Sequence, residues 1–257
     1  MAKTYETITL GSDRDGQVVR LSFDSKTRGN VITPSLLAEF HLAIDDVLAM
    51  KPRVLILSGT EKSFSRGADI ETIKAMGPAF QGYVESEFKL FDIVDRLPFV
   101  TIAALTGIVI GNAAELALAC DFRIAAESSS FTLPEVAIGF VAPAQRLTRF
   151  VGIGVAKDIL YNARMLKADD AHKLGLFTRV LPDQDFEAGL ASFAAELADR
   201  PPIALAVTKQ GVAHAYGFGS GDYKGEEHWA FATYQTADVR EGFAALAEKR
   251  KPVFTGS

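Results

Sequence analysis

An α/β core followed by a helical C-terminal portion is the fold class that this chain of 257 residues predicts. Three observations carry it. Short apolar runs ending in glycine alternate with amphipathic helical stretches up to about residue 180, the pattern of strands joined by right-handed helical crossovers. From Asp183 onward the periodicity is almost purely helical. With 48% hydrophobic and 23% charged residues, the chain can bury a sizeable core and is not disordered.

At the N-terminus, Ile8-Thr-Leu10 and Val18-Val-Arg-Leu-Ser-Phe23 read as strands flanking the turn-rich Gly11-Ser-Asp-Arg-Asp-Gly16. Thr33-Pro34 opens a helix, with a capping hydroxyl followed by proline at the first helical position. Leu36, Leu37, Phe40, Ile44, Val47 and Leu48 then recur at helical spacing. Arg53-Val-Leu-Ile-Leu-Ser-Gly59 is an apolar run that reads as a fully buried strand of a parallel sheet. The loop Ser63-Phe-Ser-Arg-Gly-Ala-Asp69 leads into another helical region, and residues 80–96 form an amphipathic helix ending before Pro98.

Phe99 to Cys120 is nearly all apolar and long enough to cross a bilayer. It holds Gly107, Gly111, Asn112 and Glu115, however, and splits into a β-rich half and a helix-forming half. A central ionisable residue is costly in lipid, so a strand, a turn and a buried helix are expected. Asp121-Phe-Arg-Ile-Ala-Ala126 is the next strand. Helices are then expected at 185–199, 203–215, 222–236 and 238–250, with Asp199-Arg-Pro-Pro202 as a break between two of them. The division expected is a core over 1–183 and a helical region over 184–257.

Several function classes are excluded. A net charge of −5 and a pI near 5.5 give no general attraction to nucleic acid or anionic lipid. A single cysteine, Cys120, rules out an intrachain disulfide framework and a cysteine-rich metal cluster. His41, His172, His214 and His228 are too scattered for metal-helix spacing, so no metal is expected. The start, Met1-Ala-Lys-Thr-Tyr-Glu6, lacks the apolar core of a signal peptide, and a reducing, cytoplasm-like compartment is expected. Gly152-Ile-Gly154 and Gly217-Phe-Gly-Ser-Gly221 lack a full nucleotide fingerprint and read as helix connections. His228-Trp229 reads as a packing or interface pair. No Gly-x-Ser-x-Gly nucleophile elbow occurs.

Two glutamates stand out. Glu115 sits among small apolar residues near a helix start in Gly111-Asn-Ala-Ala-Glu-Leu-Ala-Leu-Ala-Cys-Asp121. Lost water raises a carboxyl pKa there, while the helix end favours its charge. Such opposed pressures suit an acid–base residue; a buried glutamate meeting backbone groups or an arginine is the alternative. Glu135 follows Pro134 in Phe131-Thr-Leu-Pro-Glu-Val-Ala-Ile-Gly139, in an extended or turn segment after a strand. Alone it reads as a cap or a loop charge, but two such glutamates brought to one site can move protons on two faces of a reaction. Gly67-Ala68 and Gly111-Asn112 each lie between a strand and a helix, where free N–H groups stabilise an oxyanion.

At these residues the chain resembles the crotonase (enoyl-CoA hydratase/isomerase) superfamily. The likeness runs through Phe64-Ser-Arg-Gly-Ala-Asp-Ile70, residues 111–125 and 131–139, Gln145-Arg-Leu-Thr-Arg-Phe-Val-Gly152, residues 163–176 and Glu248-Lys-Arg-Lys-Pro-Val-Phe254, nearly the whole length. The resemblance implies a ββα spiral with two roughly perpendicular sheets and a helical trimerisation region. It implies an acyl-CoA substrate, no cofactor beyond the coenzyme A of that substrate, no nucleic-acid or membrane partner, and a homotrimer or dimer of trimers. Carried over by position, the N–H groups of Ala68 and Asn112 would form the oxyanion hole, and Glu115 and Glu135 would be the acid–base pair that hydrates a 2-enoyl-CoA to a 3-hydroxyacyl-CoA. Arg66, Gly67, Ala68, Asp69, Ile70 and Gly111 would run past the CoA, and Lys249 would reach its phosphates, from a neighbouring subunit in one reading.

Three departures matter. The family's glycine triplet is Gly111-Asn112-Ala113 here, which narrows the room for the thioester and adds a side-chain amide. Phe140-Val-Ala-Pro-Ala144 is shorter than usual and lacks glycine, which weakens the expectation of hydration relative to acyl-CoA binding. Arg28-Gly-Asn-Val-Ile32 replaces the usual early asparagine–alanine pattern at the CoA entrance. The alternatives are enoyl-CoA double-bond isomerisation, another thioester-enolate reaction such as decarboxylation or carbon–carbon cleavage, and a non-catalytic acyl-CoA-binding or RNA-binding homologue. The acidic charge weighs against RNA, and the two glutamates weigh against a dead enzyme.

Overall fold

The computed structural model describes residues 5–140, 142–217 and 236–257. The main sheet has six strands: β1 (Ile8–Asp13), β2 (Val18–Phe23), β3 (Val54–Ser58), β4 (Val100–Leu105), β6 (Phe122–Ala126) and β9 (Arg179–Leu181), in that order across the sheet. Only β1 runs antiparallel to its neighbour. A second sheet holds β5 (Ile108–Ile110), β7 (Ser130–Thr132) and β8 (Leu166–Lys167). The α/β class, the two sheets and the helical C-terminal region are those expected.

The central strands are buried on both faces because helices cover both. Leu55 and Leu57 of β3 enter one core and Val54 and Ile56 the other, following the alternation of side chains along a strand. The larger core lies under α1 (Pro34–Met50), α3 (Phe80–Asp95) and α4 (Asn112–Ala119). The smaller core is closed by α8 (Phe186–Ala198), whose Phe186, Leu190, Phe193 and Ala194 pack on it. The first helix of the C-terminal region thus belongs to the wall of the main sheet. Between these elements lie α2 (Ile70–Ala75), α5 (Ala144–Val151), α6 (Ile153–Tyr161) and α7 (Ala168–Lys173). The chain ends in α9 (Pro202–Gly217) and α10 (Ala237–Glu248).

Local sequence accounts for several boundaries. Thr33 caps α1 by accepting from the Leu36 N–H, and Pro34 occupies its first turn. Leu48, placed by periodicity on the apolar face, is 37% exposed, because the helix outruns the core at its last turn. β1 extends to Asp13, three residues into the expected turn, because its backbone stays paired with Val18. The segment 99–120 is β4, β5 and α4 in succession, and β5 is an element that the apolar composition concealed. The helix expected at 222–236, the pair His228-Trp229 and residues 218–221 lie outside the described residues. No described helix is long and apolar enough to cross a membrane.

Candidate active site

The small sheet gathers segments that are far apart in sequence. Ser65 bridges Val109 in parallel, and Val109 pairs with Phe131 in parallel. Three residues beyond each member of this row come Ala68, Asn112 and Pro134. All three segments therefore leave the sheet in one direction and end side by side. Two glycines allow the close approach. Gly67 has φ +83°, and a Cβ on it would lie 2.5 Å from the Ile110 carbonyl oxygen. Gly111 has φ +60°, and a Cβ there would lie 3.2 Å from Glu135 Oε1.

Two main-chain donors are left free at this junction. The bridge of Ile32 to the 67–69 loop uses the Gly67 carbonyl and the Asp69 N–H, and passes over the Ala68 N–H. Asn112 is the first residue of α4, so its N–H has no intrahelical acceptor. Neither N–H takes an acceptor among the described residues.

Glu115 lies in the first turn of α4 and is buried. Its Oε1 accepts from Arg146 Nε at 3.3 Å. Arg146, on α5, also donates to Asp92 at 2.6 Å and to Asp95 at 2.9 Å. Burial pushes the Glu115 pKa up to about 7; the Arg146 charge opposes that rise, and the charge of Glu87 adds to it. The carboxyl is poised near neutrality and also meets an arginine.

Glu135 opens a 3-10 turn, Glu135–Ile138, directly after β7 and Pro134. Its Oε2 is buried and takes no donor among the described residues. Burial raises its pKa to about 7, and the charge of Glu115 contributes to that shift. The charge of Glu115 is thus felt at Glu135, and burial is the main cause of both shifts.

A third carboxylate, absent from the sequence expectation, joins them. Glu87 of α3 is 8% exposed. It accepts from Tyr83 Oη at 3.2 Å and from Asn112 Nδ2. Burial raises its pKa, opposed by the Asn112 and Tyr83 hydrogen bonds, and the charge of Glu135 adds to the rise. A signal was available: a glutamate at 87 falls on the same helical face as Tyr83, Leu90, Phe91 and Val94, all buried. Arg146 was likewise read only as part of a motif.

The remaining expected residues are placed as follows. Arg66 packs its side chain over Gly29, beside a polar cleft lined by Arg28, Asn30, Thr60, Glu61, Lys62 and Ser63. Asp69 caps α2, accepting from the Thr72 hydroxyl at 2.6 Å, and Ile70 is 42% exposed. Lys249 stands exposed at the end of α10, and no contact among the described residues joins it to these loops. Its neighbours are engaged elsewhere, Arg250 with Glu241 and Lys251 with Asp199. Phe140 packs against Phe80 with ring centroids 5.8 Å apart, and with Val136, Ile138 and Ile70 it leaves apolar surface exposed. A separate apolar cavity between α4, α8 and α9, lined by Phe99, Leu118, Phe122 and Leu205, contains none of the three glutamates.

Two free N–H groups beside paired carboxyls near pKa 7 can hold a carbonyl oxygen while protons move at the neighbouring carbons. The comparisons point the same way. A family profile described as "Enoyl-CoA hydratase/isomerase" matches residues 13–257. A crotonyl-CoA hydratase of Syntrophomonas wolfei is 31% identical over 261 residues, covering 97% of this chain and 98% of that one. An enoyl-CoA isomerase/hydratase of Mycosarcoma maydis is 34% identical over 257 residues, covering 93% of each. Among solved structures, an enoyl-CoA hydratase of Bacillus anthracis superposes with a TM-score of 0.93 at 31% identity, covering 98% of this chain and 100% of that one.

Proposed function

The chain belongs to the enoyl-CoA hydratase/isomerase, or crotonase, family and is an enzyme of enoyl-CoA thioesters; from that premise we propose that it is a hydratase, adding water to a 2-enoyl-CoA to give the 3-hydroxyacyl-CoA. The observation that carries this reading is the convergence of Glu115 and Glu135 beside the free N–H groups of Ala68 and Asn112.

The thioester oxygen accepts from both N–H groups. Negative charge that develops on that oxygen during attack meets two fixed donors, and loss of one such donor costs about 3–4 kcal/mol of transition-state stabilisation by analogy with other oxyanion holes. A water molecule lies between Glu115 and Glu135. One carboxylate takes its proton as the oxygen bonds to C3, and the other, protonated, delivers a proton to C2. The double bond is consumed, no electrons are exchanged, and the pair ends with the proton count it began with. One protonated and one ionised carboxyl are needed together, which two pKa values near 7 provide at neutral pH. Arg28 and Lys62 line the polar cleft together with Glu61, and Arg66 packs over its Gly29 wall, an excess of cations suited to the phosphates of CoA; Lys249 would add to them only across an assembly such as a trimer.

The contact of Phe140 with Phe80 favours a second reading. It ties the residue after Gly139 to α3, the helix that carries Glu87, and a site kept dry there would let one carboxylate shift the double bond as an isomerase. Turnover of crotonyl-CoA and of a 3-enoyl-CoA in oxygen-18 water separates the two. Hydration puts one labelled oxygen at C3, whereas a shifted double bond without label assigns isomerisation. Glu115→Gln and Glu135→Gln are each expected to lower hydration by about 10²–10⁴-fold with CoA-ester binding kept. Full turnover by either variant removes the paired-carboxylate assignment.

A further inference from the structure

Addition of water occupies Glu115 and Glu135 and leaves Glu87 without a task. Its surroundings give it one. Both hydrogen bonds to Glu87, from Tyr83 and from Asn112, converge on Oε1, and Oε2 takes no donor among the described residues. Oε2 is not among the fully buried unpartnered atoms, so water meets it until an acyl chain takes that space. The Glu87 charge acts on Glu115 and the Glu135 charge acts on Glu87, so the group stands beside the reacting pair. By turning Nδ2 to Glu87, Asn112 leaves its own Oδ1 buried and without a donor. That oxygen is 3.0 Å from where a Cβ on Gly67 would sit, next to the loop that carries the Ala68 N–H.

Counting donors shows what is missing. One water between Glu115 and Glu135 brings two O–H groups, which serve those two residues. A plain alkyl enoyl chain brings none, so its binding would close the pocket over Asn112 Oδ1 and Glu87 Oε2 with both unpaired, an arrangement that penalises the complex. An apolar side chain at 87 would have suited such a chain.

Resting on the hydratase reading, we propose that Glu87, with Asn112 beside it, is a specificity-determining residue, and that the enoyl-CoA this enzyme prefers carries a hydrogen-bond donor, a hydroxyl or a protonated amine, on the acyl carbons beyond the double bond. The donor meets Glu87 Oε2 or Asn112 Oδ1. A protonated amine also gains from the carboxylates gathered there, and the cation that Glu115 meets, Arg146, is already shared with Asp92 and Asp95.

The test compares hydration of crotonyl-CoA, 4-hydroxycrotonyl-CoA and 4-aminocrotonyl-CoA by the full chain and by Glu87→Gln and Glu87→Leu. The wild type is expected to favour the hydroxy or the amino ester over crotonyl-CoA by about 10- to 100-fold in kcat/KM. The preferred ester identifies the donor. Glu87→Leu brings the ratio near one. Glu87→Gln loses most of any preference for the amine and part of that for the hydroxyl. No preference in the wild type, or a ratio unchanged in both variants, overturns the proposal. Calorimetric binding of butyryl-CoA, 4-hydroxybutyryl-CoA and 4-aminobutyryl-CoA separates this inference from the hydratase reading, since it needs no turnover. Tighter binding of a substituted ester that vanishes in Glu87→Leu sustains the role of Glu87 even if no ester is hydrated. Equal binding of all three removes it even if crotonyl-CoA is hydrated. Should Glu87→Leu fail to fold, Glu87→Gln reads the same ratios.

Discussion

Two arginines are buried beside α4, and they do different work. Arg123 is 2% exposed and Arg146 is 8% exposed. Arg123 spends its donors on main-chain carbonyls: Leu176 at 2.5 Å, Cys120 at 2.8 Å and Ala117 at 3.4 Å. Its guanidinium also lies 4.0 Å from the centroid of the Phe150 ring. Ala117 and Cys120 are at the C-terminal end of α4, where carbonyls are orphaned and the helix dipole favours a cation. Arg146 instead meets three carboxylates, including Glu115 at the other end of the same helix. The depth of a buried charge therefore says little about its purpose, and the partners decide. An arginine met by carbonyls anchors the chain, and one met by a carboxyl poised near pKa 7 sets that carboxyl in place.

The largest effect that would sharpen this contrast is on stability. Arg123→Met leaves the buried Leu176 and Cys120 carbonyls short of a donor, while Ala117 keeps the Cys120 N–H, at a cost of about 1–3 kcal/mol for each that stays unpaired. A total loss of about 3–4 kcal/mol is expected, lowering Tm by about 10 °C in a chain of this size. The folded fraction should keep the pH profile of the wild type. A variant that melts normally but shows a displaced profile would reverse the roles assigned here.

Arg146→Met tests the other side. Its readout is the pH dependence of kcat/KM, expected to be bell-shaped around pH 7 because the reaction needs one carboxyl protonated and one ionised. The Arg146 charge holds the Glu115 pKa down, so its removal lets that pKa rise and moves the bell to higher pH. Activity at the optimum should fall about 10-fold as Glu115 loses its orienting bond. Arg146→Lys should restore part of the shift through its charge and less of the rate, since an ammonium cannot reproduce the guanidinium fork. An unmoved bell in both variants would make Arg146 a structural residue like Arg123.

The contrast also explains what was legible in the sequence. Glu115 and Glu135 could be picked out because a charge inside an apolar run is visible one residue at a time. The loops at 67 and 111 could be picked out because glycine before a helix marks a turn. Glu87 was hidden in an amphipathic helix with many exposed charges, where only its phase against Tyr83 and Leu90 reveals that it points inward. Arg123 stands in an apolar strand and Arg146 in the mixed run Gln145-Arg-Leu-Thr-Arg149, and neither setting names a partner, since those of Arg146 lie 31 residues or more away. β5 escaped because three residues within a continuous apolar stretch have no periodicity of their own. Yet β5 carries the row Ser65–Val109–Phe131 that aligns the whole site. Residue chemistry was readable along the chain, whereas juxtaposition depended on a register that the sequence does not display.

The smallest effect separates the two catalytic candidates from each other. Glu135 has a folded-state pKa of about 7, raised above an ordinary 4.5 by burial first and by the Glu115 charge after it, and no cation is among the causes of its shift. A carboxyl with a raised folded pKa leaves stability intact below its unfolded value and removes it as pH climbs through the folded value. The wild type should therefore lose stability between pH 4.5 and about 7 on account of Glu135. Glu135→Gln, which cannot ionise, should escape that loss. Its Tm should match the wild type at pH 4 and exceed it by several degrees at pH 8, while activity falls, as expected where a site holds groups that the fold would rather keep neutral. Glu115→Gln should show a smaller gain at pH 8, because it also deprives Arg146 of a partner within the buried ion network. Thermal melts of the three proteins across this range decide the matter. If the Glu115 variant gains as much as the Glu135 variant, the bond from Arg146 contributes nothing to folding, and the distinction between an arginine that anchors and one that positions becomes complete.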